Sequence, residues 1–340
     1  MVKTIKIKCQ NGISFEEATR DILFDLNSSF SFLECDEPDF ILFGPYGNNI
    51  PKKGNYIRIG YFCENIKPDL SICEYAFGIP REEEINNIKY KRIQWHGLNP
   101  NTLIKNISEN DIDFIINQKT KFCNFIYSNP VPYREEFYKQ LSKYKKIDSP
   151  GKSMNNMKSI DLFYDGNIWE RKRHFLSKYK FTIAFENYVY PGYQTEKLYD
   201  AMQAQSIPIY FGDSLINEIF NSNSFINALE YTKPRKDSLI SFLQHFSQQD
   251  FKDYRPTFYN QPHHKIIRRI KKIGRELKMS VQFNKLDFSP IIDKIIEIDN
   301  DPELYAQYLR QPWFVDNITP ENSSLKNRWI EIFSPSAIIE

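Results

Sequence analysis

The stretch Phe181–Asp213, FTIAFENYVYPGYQTEKLYDAMQAQSIPIYFGD, constrains the fold more than any other part of the chain. Its two apolar runs, Phe181–Phe185 and Ser206–Phe211, are too short for helices and too continuous for half-exposed strands, so they read as buried strands. Pro191 and Gly192 mark a loop after the first run. Thr195 is placed to cap a helix running to about Gln205, with Glu196 at its first position. A buried strand feeding a helix N-terminus leaves backbone N–H groups at the strand's carboxyl end, and anions bind there. Glu186, Asn187, Tyr193, Thr195, Glu196 and Lys197 crowd that end, where open α/β sheets bind nucleotides.

The same rhythm runs through the rest of the chain. Apolar runs at Lys3–Cys9, Phe30–Glu34, Phe40–Gly44, Asn55–Phe62 and Tyr75–Ile79 predict strands, and Phe15–Leu26 has helical spacing behind Ser14 as cap. This predicts a first doubly wound domain over roughly residues 1–100. Asn99–Lys119 is polar and reads as a connector or helix. Lys121–Tyr127 opens a second sheet, followed by a helix over Tyr133–Tyr144 with Arg134 in its first turn, a strand end at Ile147–Asp148, and a helix over Glu170–Lys180. Phe225–Leu229 reads as a further short strand. Ile291–Ile298 and Glu303–Leu309 read as helices, with Pro302 as a first helical residue, Pro312 as a stop, and Trp313 and Phe314 packed inside.

Residues 232–287 break the pattern. Phe242–Phe246 has helical spacing, and after Tyr254–Pro262 comes a basic amphipathic stretch over 263–278. Its Ile266, Ile267, Ile270 and Ile273 form one stripe, ringed by Lys265, Arg268, Arg269, Lys271, Lys272, Arg275 and Lys278. Two readings stand side by side: a helix lying on an anionic membrane, or a solvated helix burying its stripe on the protein or on a second subunit of a homodimer. The expected organisation is a domain over 1–118, a second over 119–310 carrying 232–287 as an insertion, and a segment over 311–340 packing back toward the first domain.

Composition narrows the class. A net charge of +2 gives no reason to expect nucleic acid as partner. Five cysteines, never spaced as CxxC, argue for a reducing compartment and against a zinc ribbon. No apolar run reaches the roughly 18 residues of a membrane span, and MVKTIKIKCQ reads as a strand rather than a signal peptide. The expected location is cytoplasmic, with peripheral attachment to the inner face of the membrane as the amphipathic stretch's alternative. Asp111 and Asp113 form a formal DxD in a polar segment, better explained as a solvated face, and His263-His264 sits in a basic stretch, so no metal site is assigned.

The order FEN, Tyr193, TEKL, IPIYFGD resembles the signature of the α1,3/α1,4-fucosyltransferases, glycosyltransferase family 10. Phe62-Cys-Glu-Asn65 with Pro68-Asp69 and Tyr75-Ala-Phe-Gly78 looks like that family's first-domain GEN motif, with Cys63 in place of Gly. Ser128-Asn129-Pro130 with Arg134 and Tyr138, then Asp148-Ser-Pro-Gly-Lys152, resemble the segments that open its donor domain, and Asp299–Phe314 its closing helices. The resemblance implies a GT-B fold, an α/β architecture of two Rossmann-like domains facing each other across a cleft. It also implies an inverting transfer of fucose from GDP-fucose to a glycan hydroxyl, α1,3 to GlcNAc or Glc of a lactose-type or surface-polysaccharide acceptor. Another GDP-deoxysugar, or an inactive nucleotide- or glycan-binding protein, are the alternatives.

By the same resemblance, Glu64 is the catalytic base and Glu196 the donor-side carboxylate, accepting sugar or ribose hydroxyls. Lys197 and Arg134 meet the pyrophosphate, Asn187 and Tyr193 orient the donor, and Ser128, Asn129 and Lys152 line its site. Glu186 is split evenly between a structural and a functional role. No cofactor is required, with any divalent-metal stimulation non-essential. Retaining enzymes of the same fold carry two glutamates separated by seven residues, whereas Glu186 and Glu196 have nine between them, which favours inversion. The chain departs from the family in lacking a Trp-containing N-terminal acceptor loop, where Gln10-Asn-Gly-Ile-Ser14 stands. Trp95-His96-Gly97 occupies the later acceptor-side region, and no counterpart to 232–287 is expected in the bacterial members.

Overall fold

A computed structural model describes residues 2–47, 49–64, 66–93, 98–106, 108–251, 262–283, 286–320 and 323–334. The chain divides into two α/β units, one formed by Met1–Leu98, Lys236–Gln282 and Glu321–Glu340, the other by Asn99–Arg235 and Phe283–Pro320.

The first unit is built on β1 (Lys3–Gln10), β2 (Phe30–Glu34), β3 (Phe40–Phe43), β4 (Ile57–Phe62), a short β5 (Ile66–Lys67), β6 (Tyr75–Gly78) and β7 (Tyr90–Arg92). Six of these form one parallel sheet in the order β2-β1-β3-β4-β6-β7. β1 keeps Ile5 and Ile7 inside and its lysines outside, the period of two that its sequence carries. The expected helix over Phe15–Leu26 is broken into three pieces. A three-residue α1 (Phe15–Glu17) is closed by a Ser14–Glu17 capping box, and a wide turn over Ala18–Ile22 and a tight one over Phe24–Leu26 follow. A one-turn α2 (Glu82–Ile85) precedes β7.

The second unit opens with α3 (Glu109–Gln118) and β8 (Lys121–Asn124), then α4 (Pro132–Leu141), β9 (Ile147–Asp148), α5 (Ile168–Leu176), β10 (Tyr179–Phe185), α6 (Glu196–Gln203), β11 (Ile207–Phe211), β12 (Ile226–Asn227) and α7 (Ala228–Tyr231). β8 ends at Asn124, and the next residue, Phe125, still donates its N–H to the Asp148 carbonyl of β9 at 2.9 Å. The parallel order is β12-β11-β10-β8-β9, with Phe181 opposite Ile207 and Phe185 opposite Phe211. Strand order reverses between β8 and β10, and a sheet of this kind binds its ligand beyond the carboxyl ends at that point. The first sheet reverses likewise between β1 and β3.

After α7 the chain forms α8 (Ser238–Ser247), α9 (Pro262–Phe283), α10 (Ser289–Asn300), α11 (Pro302–Arg310) and α12 (Ser323–Phe333). Residues 236–282 group with the first unit, where the sequence reading placed them inside the second. The cause is local: β13 (Gln249–Asp250) pairs in parallel with β5, and Phe251 lies 4.8 Å from Phe62 in a core shared with Phe43. α12 belongs to the first unit as well, with Trp329 stacked 4.0 Å from Phe77 and Phe333 edge-on to Phe40. Trp313 and Phe314 are fully buried in the second unit, where the Lys105 ammonium lies over the Trp313 ring. None of the described helices is long and apolar enough to cross a membrane.

Candidate functional site

At the reversal point of the second sheet, Glu186 follows β10 directly and is wholly buried. A carboxylate removed from water needs partners, and this one has several. Thr195 donates its backbone N–H at 2.9 Å and its hydroxyl at 2.8 Å, and the Lys197 Nζ lies 3.1 Å away. Thr195 does hold the N-cap position of α6, but its hydroxyl serves Glu186 rather than the helix amides, so the first turn lacks a side-chain cap. Burial lifts the Glu186 carboxyl above its ordinary range, against the pull of Lys197. Burial would lower the Lys197 ammonium, but Glu186 and Glu196 outweigh it and raise it. Lys197 is therefore held as an ammonium across the neutral range.

Arg134, in the first turn of α4, has no exposed surface. Its guanidinium lies 3.5 Å over the Tyr127 ring and donates to the Asn129 carbonyl at 2.6 Å, the Asn187 Oδ1 at 3.0 Å and the Phe185 carbonyl at 3.3 Å. None of these partners is acidic, and Nε has no partner. Tyr133 adds a hydrogen bond to the Glu186 carbonyl. The Phe185–Glu186 backbone and the Asn187 side chain are thus gripped from α4, and Arg134 acts on its surroundings through charge and through Asn187. The Tyr127 hydroxyl is pushed up to about 12 by burial, with the charges of Arg134 and Lys197 both opposing.

The Tyr188–Gln194 loop is fastened by a residue whose role the sequence left unread. Asp213, buried just after β11, accepts from the Gly192 N–H and the Gln194 amide, each at 2.7 Å, and from the Leu215 N–H at 2.9 Å. Gly192 has φ +83°, the left-handed region that glycine tolerates. A Cβ on Gly212 would stand 2.6 Å from the Glu186 Cγ, so the FGD end of β11 must be bare beside that carboxylate. A polar residue closing a fully apolar strand was the available signal. Tyr193 is buried, while the Glu196 carboxyl is part-exposed. Burial would raise that carboxyl, but Lys197 and Lys172 hold it below its ordinary value. Ser128, Asn129 and Lys152 are exposed around this end of the sheet.

In the first unit Glu64 lies two residues past β4, exposed, and the Tyr46 hydroxyl donates to its Oε1 at 2.5 Å. Tyr46 belongs to the loop after β3. Asn11, at φ +58°, ties that loop to the end of β1 by donating to the Gly44 carbonyl at 2.7 Å and accepting from the Asn49 N–H at 2.9 Å. The Gln10–Ser14 turn is thereby part of the scaffold around Glu64. Asn65 and Trp95-His96-Gly97 lie outside the described residues. The Asp111 carboxylate of the DxD pair accepts from the Ser108 N–H and hydroxyl in a capping box. No group of three metal-ligating side chains occurs among the described residues.

Residues 7–95 match the family described as the alpha-(1,3)-fucosyltransferase FucT N-terminal domain, and residues 116–281 match glycosyltransferase family 10 (fucosyltransferase), C-terminal. The second match runs through residues 232–281 of the block for which no counterpart was expected in the bacterial members. The chain is 27% identical over 241 residues to the alpha-(1,3)-fucosyltransferase FucT of Helicobacter pylori, covering 61% of this chain and 48% of that protein. It is 33% identical over 141 residues to alpha-(1,3)-fucosyltransferase B of Drosophila melanogaster, covering 40% of this chain and 30% of that one. The chain thus spans less than half the length of these relatives. A crystal structure of an alpha1,3-fucosyltransferase with GDP-fucose shares the fold, with a TM-score of 0.61 at 19% identity over 99% of this chain and 93% of that one.

Proposed function

This chain belongs to glycosyltransferase family 10, the fucosyltransferases, with a GT-B fold, and on that premise we propose that it transfers L-fucose from GDP-fucose to a glycan hydroxyl with inversion. The observation that carries the reading is that Arg134 and Lys197, in the first turns of α4 and α6, both reach the Phe185–Asn187 segment at the reversal point of the second sheet, Arg134 through the Phe185 carbonyl and Asn187 and Lys197 through the Glu186 carboxylate. A departing nucleoside diphosphate needs positive charge, and fixed ammonium and helix N–H groups supply it without reorganisation. Lys197, held charged and part-accessible, takes the diphosphate directly, and Arg134 adds charge from beneath and fixes Asn187. Glu196, Asn187 and Tyr193 orient the sugar and ribose. The Glu64 carboxylate accepts the proton of the acceptor hydroxyl as its oxygen bonds to the anomeric carbon and the bond to GDP breaks, giving inverted product. No resident cofactor enters this scheme, and divalent metal stimulation is non-essential to it. An α1,3 link to GlcNAc or Glc is the acceptor reading, resting on the relatives' names alone.

The test pairs a donor panel with one variant. GDP-fucose should raise the melting temperature more than GDP-mannose or other GDP-deoxysugars, and Glu64→Gln should cut acceptor-dependent GDP release by roughly 10²- to 10⁴-fold, the span of general base catalysis. Near-wild-type release by the variant would remove Glu64 from the scheme, and a preference for another GDP-sugar would replace the donor.

A further inference from the structure

Among the described residues, α9 meets α8 through Gly274, Arg275 and Lys278. A Cβ on Gly274 would lie 3.1 Å from the Ser247 Cβ, the Lys278 Nζ donates to Gln244 at 2.9 Å, and the Arg275 guanidinium donates to the Ser247 carbonyl at 2.9 Å. Lys271 pairs with Asp250 at 2.7 Å on the same side. The apolar stripe, for which burial was one of two readings, points elsewhere: Ile266, Ile270, Ile273 and Leu277 are 47–59% exposed. α8 contributes a second apolar row, with Leu239, Phe242 and Phe246 at 43%, 62% and 46% exposure and the two phenyl rings stacked 5.9 Å apart. The rows are continuous, because Phe246 lies 3.7 Å from the point where a Gly274 side chain would begin, one residue from Ile273 and three from Leu277.

We propose that this joint face of α8 and α9 docks on the surface of an anionic phospholipid bilayer. Its shape suits that surface: α9 alone is about 33 Å long, its apolar stripe lies to one side, and both helices are held parallel to the face by their mutual contacts. The charge selects the occupant. Beyond the stripe α9 presents Lys265, Arg269 and Lys272 to solvent, countered by Glu276, which lies 3.8 Å from Lys272. An anionic lipid surface complements that row, whereas a second copy of the same face would oppose cation to cation. The proposal is independent of which sugar is transferred.

Sedimentation of the full chain with lipid vesicles tests it. Wild-type protein should sediment with vesicles containing phosphatidylserine, weakly with pure phosphatidylcholine, and less as salt rises. Ile270→Asp with Ile273→Asp should abolish binding. Arg269→Glu with Lys272→Glu should lower the partition coefficient on anionic vesicles by at least about 25-fold, from roughly fivefold per basic side chain. All four positions are exposed, so the melting temperature should not move. Absence of sedimentation with anionic vesicles, or equal binding to neutral ones, would overturn the assignment. So would concentration-dependent dimers in light scattering that the aspartate variant dissolves while vesicle binding is absent, since the face would then belong to a second copy.

Discussion

Replacing Glu186 by Gln tests the arrangement around α6 most directly. The carboxylate is fully buried and Lys197 nearly so, with 14% of its side chain exposed. Gln keeps the shape and one acceptor for the Thr195 N–H, but it removes the negative partner of a desolvated ammonium. Breaking a buried pair by removing one member destabilises by about 3–5 kcal/mol. Because Lys197 retains some water and Glu196 lies 3.6 Å away, the lower end applies, about 3 kcal/mol. For a unit of this size that lowers the melting temperature by about 6–12 °C. The assay is urea unfolding at pH 7 for the wild type, Glu186→Gln, Lys197→Met and the double variant. The double variant leaves no orphaned charge, so it should be more stable than Glu186→Gln alone by at least about 1 kcal/mol. A single-variant loss under about 1 kcal/mol, or strict additivity in the cycle, would refute the view that Glu186 holds Lys197.

Three further outcomes follow from the geometry. Burial raises the Asp299 carboxyl, yet Lys145 and Lys180 outweigh it and hold it below its ordinary value. Its contribution is therefore present above the unfolded value near 4 and lost as pH falls through the folded one, and Asp299→Asn should flatten the acid limb of a stability–pH curve. Gly151→Ala should destabilise by about 2 kcal/mol or more, because the new Cβ would stand 2.3 Å from the Tyr127 carbonyl oxygen; calorimetry showing under about 0.5 kcal/mol would mean that the turn shifts freely. Tyr46→Phe removes the hydrogen bond that aims Glu64, and acceptor-dependent turnover should fall about threefold to tenfold with the melting temperature little changed; unchanged turnover would leave Tyr46 without a positioning role.

What the sequence made legible follows the range of the interactions. The Phe181–Asp213 unit reads correctly because apolar runs, turn residues and a helix start are local patterns, and the parallel register of β10 with β11 needs nothing else. The broken Phe15–Leu26 segment was misread because its capping box and apolar spacing are helical, whereas the wide turn at Ala18–Ile22 leaves no mark on residue type. Residues 236–282 were assigned to the second unit by chain order, and the β5–β13 pairing and the Phe251–Phe62 contact, nearly two hundred residues apart in sequence, return them to the first. The candidate site residues stand at strand ends as types the sequence displays. Their division of labour was not legible there, because burial separates a sealed Glu186 from a part-exposed Glu196 ten positions later. Asp213 and Tyr46 act on partners across loops, and such pairings exist only once the sheets have formed.

The Tyr127 hydroxyl donates to the Ile183 carbonyl at 2.7 Å and accepts the Phe185 N–H at 2.8 Å, so β10 has a side chain standing where another strand's backbone would be. Strand ends ordinarily fray, and their amides exchange with solvent through small local openings. Here the Phe185 amide can open only if the Tyr127 ring withdraws from beneath the Arg134 guanidinium, and that guanidinium in turn holds Asn129 and Asn187. The last peptide before Glu186 is therefore tied to the packing of Tyr127 and Arg134 rather than to a free edge, and its amide should exchange more slowly than that of an ordinary strand end.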